Sequence, residues 1–320
     1  RNKYILLEKF DNYWKGWDRT NHYESILFQI ASESSTRLQM IESGIADYAV
    51  LIPNQLLSRL EENPKVSVSY HQSWANEFYL LNTKKHPTDN LWVRRAIASS
   101  LNRKTLANYI YKNTAVEPKG LIPQSIPLFI EPDSLISFDL DLAKGYLKKA
   151  EIDLSNTTID LSYVSTYEEY RLTTFMLLDN LRKLDVQLEL KPGLWSTNWD
   201  KAKVLETAPN IISMAWWPTV SSPSDWFFAL YNTQQNPLFN LSYYSNSIVD
   251  SLTKKAWELE SVDPESARDI YKEIQNILID DCVVVPAVDV KTTSVRKRSI
   301  KGFKSNPAYS TILVYHLRKN

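Results

Sequence analysis

Four histidines, His22, His71, His86 and His316, are the first residues to examine for chemistry, because imidazole serves as both metal ligand and general base. They stand in separate segments, and none has a His, Cys or carboxylate neighbour at metal-ligand spacing such as an H-E-x-x-H helix. Cys282 is alone, which excludes a disulfide or cysteine-zinc framework; inside "DDCVVVPA" it reads as a small core hydrophobe rather than a nucleophile. Only 6 Gly occur, and neither a G-x-G-x-x-G turn, a P-loop nor a G-x-S-x-G elbow can be assembled from them. The carboxylate pairs Glu168–Glu169 and Asp280–Asp281 sit beside expected helix ends, where capping and solvation account for them. A glycan hydrolase would need two carboxylates facing across a sugar, for instance Asp225 and a distant Glu, which spacing cannot establish. The expectation is a protein that is no enzyme and needs no metal and no cofactor.

Binding has more support. Trp195, Trp199, Trp216, Trp217 and Trp226 fall in one window around "MAWWPTVSSPSDWFF", residues 214–228, in a chain with 10 Trp and 18 Tyr. An indole offers a large rigid apolar face and one donor, which suits stacking on flat or amphipathic ligands. Trp226, Phe227 and Phe228 read as the start of a helix that packs on a sheet. Trp216 and Trp217 read as a wall at the carboxyl end of the strand "NIISMAWW", where open α/β sheets collect ligands. Thr219, Ser221 and Ser222 supply neutral hydrogen-bonding groups and Asp225 a carboxylate, with Trp195 and Trp74 as further candidates.

The elements that must position these residues follow from periodicity. "YILLEKF", "SILFQIA", "KVSVSY" and "EFYLLNTK" read as strands. "SESSTRLQMIESG" reads as a helix with Leu38, Ile41 and Ile45 on one side and Gly44 as its C-terminal cap. "VRRAIASSLNRKTLANYIY" reads as one helix with Val93, Ile97 and Leu101 along a face. The proline-rich stretch 113–140 reads as an extended connector between two lobes. Beyond it, "DLAKGYLKKA", "TTIDLSYV", "EEYRLTTFMLLDNLRKL" and "VQLELK" alternate helix and strand, a βαβ unit with parallel strands. Asp263 and Pro264 open the clearest helix, whose stripe runs Ala267, Ile270, Tyr271, Ile274, Ile277 and Leu278. "VVVPA", "TTSVRKR" and "STILVYHL" close the chain as short strands.

Composition bounds the rest. At 320 residues, with 43% apolar and 23% charged residues, the chain has material for two domains and a sizeable core. Lys+Arg and Asp+Glu balance at 37 each, so nothing favours a nucleic-acid partner. No run of 18 apolar residues spans a bilayer. The opening "RNKYILLEKFDNYW" reads as mid-domain strand rather than a signal peptide, so a preceding segment is expected.

Six stretches, in order, carry a family resemblance. "LEKFDNYWKG" is similar to the pattern NPDYWGG, and "ASESSTRLQMIESGIADYAV" to DASTRLALxxGEVDI. "FYLLNTKKHPTDNLWVRRAIASSLNRKTL" is similar to YLxFNTKKPPFDDVRVRRALxxAIDREAI, and is the most specific. "SYYSNSIVDSLTKKA", "ARDIYKEIQNILIDDCVVVPAV" and "RKRSIKGFKSNP" complete the series. The chain resembles the family 5 extracellular solute-binding proteins, the dipeptide/oligopeptide-binding components of ABC importers. The resemblance implies an α/β, two-lobed fold of the periplasmic-binding-protein type (type II, oligopeptide-binding subclass), with an incomplete first lobe. Lobe one would be 1–112 with 290–320, and lobe two 113–289. It implies a monomer, periplasmic or extracellular, that closes on a peptide or similar small solute in the inter-lobe cleft and docks on the transmembrane subunits of an ABC permease. Lipid anchoring through the preceding segment is a further expectation.

Peptide binders of the family often place an Asp in the loop after "GW", facing the peptide amino terminus. At that register this chain has Thr219, with Asp225 the substitute carboxylate beyond Pro223. An oligosaccharide ligand therefore competes with a peptide, and a sensor domain of a regulator is another reading.

Overall fold

A strand needs a partner to satisfy its backbone, and "YILLE" finds one in "SILFQ". β1 (Tyr4–Glu8) and β2 (Ser25–Gln29) pair antiparallel, Tyr4 opposite Gln29 and Glu8 opposite Ser25. The computed structural model describes residues 3–17, 21–154, 157–309 and 312–319. By packing, the chain falls into unit one, Arg1–Ser73 with Lys291–Asn320, and unit two, Trp74–Val290.

In unit one, α1 (Ser34–Ser43) stops at Gly44, whose φ of 78° is the left-handed cap that glycine adopts without strain. Leu38 and Ile41 are buried, but Ile45, expected on the same stripe, is 71% exposed because the cap turns the chain before it. β3 (Tyr48–Ala49) and α2 (Asn54–Glu61) follow. Leu38, Ile41, Leu57, Leu60, Val66 and Val295 make a small core. β4 (Val66–Leu81) is one 16-residue strand where two were expected; the intervening "HQSWAN" carries no Gly or Pro to break it.

Unit two opens with α3 (Leu91–Ser99). The Asn90 side chain caps it, accepting from the amides of Trp92 (2.8 Å) and Val93 (3.4 Å). The single helix expected here is broken at Ser100–Asn102. A second cap, Asn102, starts α4 (Arg103–Thr105), which runs into a π-helical turn over Leu106–Ile110. Val93, Ile97 and Leu101 are nonetheless all buried. Residues 74–112, grouped with the first lobe in the sequence reading, pack with unit two, where α3 lies against α5 (Leu140–Ala150).

The short β5 (Ala115–Val116) precedes the βαβ unit of β6 (Thr158–Val164), α6 (Glu168–Arg182) and β7 (Gln187–Gly193). Its strands are parallel, as that unit requires, with Thr158 opposite Gln187 and Val164 opposite Gly193. α7 (Trp195–Ala202) leads to β8 (Ile211–Trp216), which is parallel to β6 and antiparallel to β4, with Asn76 opposite Trp216. α8 (Ser224–Leu230), α9 (Ser247–Leu259) and α10 (Pro264–Asp280) precede β9 (Val284–Lys297). Asp263 caps α10 through the Ser266 amide, 3.2 Å away. β9 is one strand where "VVVPA" and "TTSVRKR" were expected as two. The expected strand "STILVYHL" lies partly outside the described residues, and Val314–His316 forms a 3-10 turn instead.

The strand order β9–β4–β8–β6–β7 puts β8 in the interior. Because side chains alternate across a strand, Phe78, Leu80, Ile212 and Met214 enter one apolar cluster with Trp226, while Tyr79, Leu81 and Ile211 enter another with Leu161. Cys282 is fully buried, and burial pushes its thiol up to about 12, the behaviour of a core residue.

Candidate functional site

β8 is buried from Ile211 through Met214 and emerges at Ala215 and Trp216, so its last residue stands where core gives way to surface. The loop that follows cannot continue the strand, with Pro218 and Pro223 five residues apart. It returns as α8, anchored by two wholly buried aromatics, Trp226 and Phe227. The indole of Trp226 donates to Asn76 Oδ1 at 3.0 Å, and Asn76 Nδ2 donates to the Leu121 carbonyl at 2.9 Å. A large side chain with its one donor satisfied ties α8 to β4, as expected for Trp226 and Phe227. Phe228 instead faces outward, edge-on to Trp257 of α9 with ring centres 6.0 Å apart.

Between strand end and helix, the loop is closed by a carboxylate. Asp225 Oδ2 accepts from the Trp216 indole N–H at 2.8 Å. Asp225 Oδ1 accepts from the Thr219 amide at 3.3 Å and from the Thr219 hydroxyl. Three donors around one half-buried carboxylate occupy most of its lone pairs and fix its direction. Below it, the Ser222 hydroxyl bonds Ser224 Oγ and Glu260, and the Tyr271 hydroxyl donates to Glu260 as well, at 2.5 Å. Burial first, then these contacts with Glu260, push the Tyr271 phenol far above its usual range. The network pins the loop to the helices beneath it.

These residues border a depression of about 610 Å3. Trp216, Phe228, Phe239 and Trp257 give it aromatic walls, Asp225 and Thr219 its polar end, and Gln234 a neutral amide. Phe239 is held by its neighbours. Gln234 Oε1 accepts from the Leu238 amide at 2.8 Å, and the Trp199 indole donates to the Leu238 carbonyl at 2.6 Å. A row of rings results: Trp195 stacks on Trp199 (centroids 6.4 Å), Trp199 on Phe239 (5.7 Å), and Phe239 meets Trp216 at 5.0 Å and 70°.

Of the residues singled out from sequence, Trp216, Thr219 and Asp225 come together at the depression, and Trp195 reaches it only through the ring row. Trp217 is 54% exposed and outside the lining, Ser221 is exposed, and Ser222 is buried in the Glu260 network. Trp74 is half-buried elsewhere in unit two, its indole donating to the Ser125 carbonyl at 3.1 Å. Sequence reasoning missed Phe239, Gln234 and Trp257. The signal for Trp257 was a tryptophan on the outer side of an otherwise amphipathic helix. Among the described residues no three His, Cys, Asp or Glu side chains gather to hold a metal ion, and no helix is long and apolar enough to cross a membrane.

The model of the bacterial extracellular solute-binding proteins, family 5, matches residues 1–237. A curated relative, the glutathione-binding protein GsiB of Escherichia coli O6:K15:H31 (strain 536 / UPEC), is 25% identical over 305 residues, covering 94% of this chain and 58% of that protein. The chain thus spans about three fifths of the length of the curated relatives it matches. Two solved structures share its fold. The dipeptide-binding protein of Pseudoalteromonas sp. SM9913 in complex with Met-Leu aligns with TM-score 0.83 at 19% identity, over 99% of this chain and 62% of the other. The ABC transporter-associated periplasmic binding protein DppA of Helicobacter pylori, in complex with the peptide STSA, aligns with TM-score 0.86 at 20% identity, over 99% and 60%.

Proposed function

Because the chain belongs to the bacterial extracellular solute-binding proteins of family 5, we propose that it captures a small peptide, or a peptide-like solute with a free amine, and delivers it to the permease of an ABC importer. The observation that carries the reading is the position of the Asp225 carboxylate. Although it lies six positions later in sequence, Asp225 sits on the amide and hydroxyl of Thr219, the position where the family register calls for an acid. A carboxylate offers roughly four lone-pair sites, and three are occupied here, so one remains for a ligand cation. An ammonium there meets fixed negative charge and the π faces of Trp216 and Phe239, both favourable to a cation. Its apolar flanks meet Phe228 and Trp257. A neutral sugar would leave that charge unanswered, which favours the peptide class over the oligosaccharide. No catalytic role is assigned to any of these groups.

The test is calorimetric titration with a dipeptide such as Met-Leu and with reduced glutathione, each compared with its N-acetylated form. Saturable binding of a free amine, weakened at least tenfold by acetylation, supports the reading. Equal affinity for both forms, or binding of a neutral oligosaccharide alone, sinks it.

A further inference from the structure

Unit one carries a depression of its own, of about 400 Å3, bordered by Ser67, Arg296, Arg298, Ile300, Lys301 and Phe303. Three cationic side chains line it and no carboxylate does. Composition does not explain this, since acidic and basic residues balance across the chain. Local pairing sharpens the contrast. Lys297, between the two arginines, lies 2.6 Å from Asp47 Oδ1, so the nearby acid is spent on the one cation that does not line the depression. Among the described residues, Arg296, Arg298 and Lys301 form no ion pair.

The site is also built in advance. The Arg296 guanidinium lies over the Phe303 ring, 4.5 Å from its centre. Arg296 Nη1 donates to Ser69 Oγ at 2.9 Å and to Ser294 Oγ at 2.6 Å, which leaves Nε and Nη2 without a hydrogen bond among the described residues. His71, bonded to Ser69 Oγ at 3.0 Å, adds no charge: burial and the neighbouring guanidinium hold its imidazole below the usual range. The loop around these groups is fixed. The Arg298 amide donates to the Lys65 carbonyl at 2.9 Å, and Lys301 and Arg318 exchange backbone hydrogen bonds of 3.2 and 3.0 Å. Gly302 between them has φ of 72°, and a Cβ there would sit 1.9 Å from the His316 carbonyl oxygen, so only glycine fits.

We propose that this depression is an oxoanion site, in which a phosphate or carboxylate group takes the open fork of Arg296 and is flanked by Arg298 and Lys301. A planar guanidinium stacked on an aromatic ring is preorganised for paired oxygens, and two further cations without acids give the field that recruits them. The site lies in a different unit from the aromatic depression and does not depend on the solute reading.

The experiment titrates the 320-residue chain at low ionic strength with inorganic phosphate and with citrate. In parallel it sediments the chain with phosphatidylcholine vesicles with and without phosphatidylglycerol. Saturable one-to-one phosphate binding, weakened about tenfold in R296Q and in the exposed double variant R298Q/K301Q, is expected. Vesicle association that phosphate competes away supports the same chemistry with the oxoanion on a lipid headgroup. Binding that never saturates, or that is equal in R298Q/K301Q with an unchanged melting curve, overturns the proposal. So does vesicle association that phosphate does not displace.

Discussion

Asp225 Oδ1 accepts hydrogen bonds from both the amide and the hydroxyl of Thr219, six residues earlier in the chain. The contact turns a neutral loop position into the seat of a fixed charge. T219V removes the hydroxyl donor while keeping side-chain volume, and the loop stays anchored by the Glu260 network. Affinity for a free-amine peptide should fall roughly tenfold, the loss of one charge-assisted hydrogen bond of about 1.5 kcal/mol. T219S should recover most of it. Calorimetry on the three proteins checks this.

Trp216 has two roles that substitution can separate. W216F keeps an aromatic wall but loses the indole donor to Asp225, so affinity should drop severalfold, on the order of 1 kcal/mol. W216A also removes the wall and should cost more. W217A serves as contrast, since Trp217 stands outside the depression, and its affinity should stay within about twofold. A larger loss for W217A than for W216A would show that the ligand sits elsewhere.

Trp226 should matter to folding rather than to binding. W226A would leave a large cavity beside Phe227 and strip the Asn76 side chain of its donor, at a cost of about 3–5 kcal/mol. Urea denaturation measures it. A loss below about 1 kcal/mol would contradict the packing described for α8.

Two buried acids tilt stability with pH. Burial pushes the Glu77 carboxyl up to about 8, against the hydrogen bond from Tyr111 and with Glu169 adding to the rise. Burial likewise pushes Asp289 up to about 7, while the Gln124 amide and side chain pull it down. Both folded values lie above the unfolded ones, near 4, so the folded chain binds more protons between pH 4 and 8. Their contribution is fully present below pH 4 and is lost as pH rises through 7 to 8. E77Q and D289N should each flatten that slope and raise stability at pH 8, on the order of 2 kcal/mol. Urea midpoints from pH 5 to 8 give the slope, and a parent protein that grows more stable over this range would refute the assignment.

Much of the molecule is local and therefore legible from the chain alone. The βαβ unit, the capped α10 with its stripe and the glycine cap at Gly44 follow from periods of two and 3.6 residues and from capping chemistry. So does the reading of Trp226 and Phe227 as core, because two large aromatics opening a short helix must bury themselves. Errors came where local punctuation is weak: nothing in "HQSWAN" shows that β4 runs on unbroken, and the Asn102 cap that splits a helix is a common residue in an ordinary place.

The candidate site divides the same way. Sequence by itself placed an aromatic strand end at Trp216 and Trp217 and a polar loop after it, because a strand followed by two prolines must turn there. Only the tertiary structure decided which side chains face that turn. Asp225 folds back on Thr219, Ser222 turns inward to Glu260, and Phe239 and Trp257 arrive from segments 23 and 41 positions from Trp216. Such pairings depend on how α7, α8 and α9 bring their side chains to the carboxyl end of β8, and no period or spacing in the chain encodes a contact between side chains so far apart.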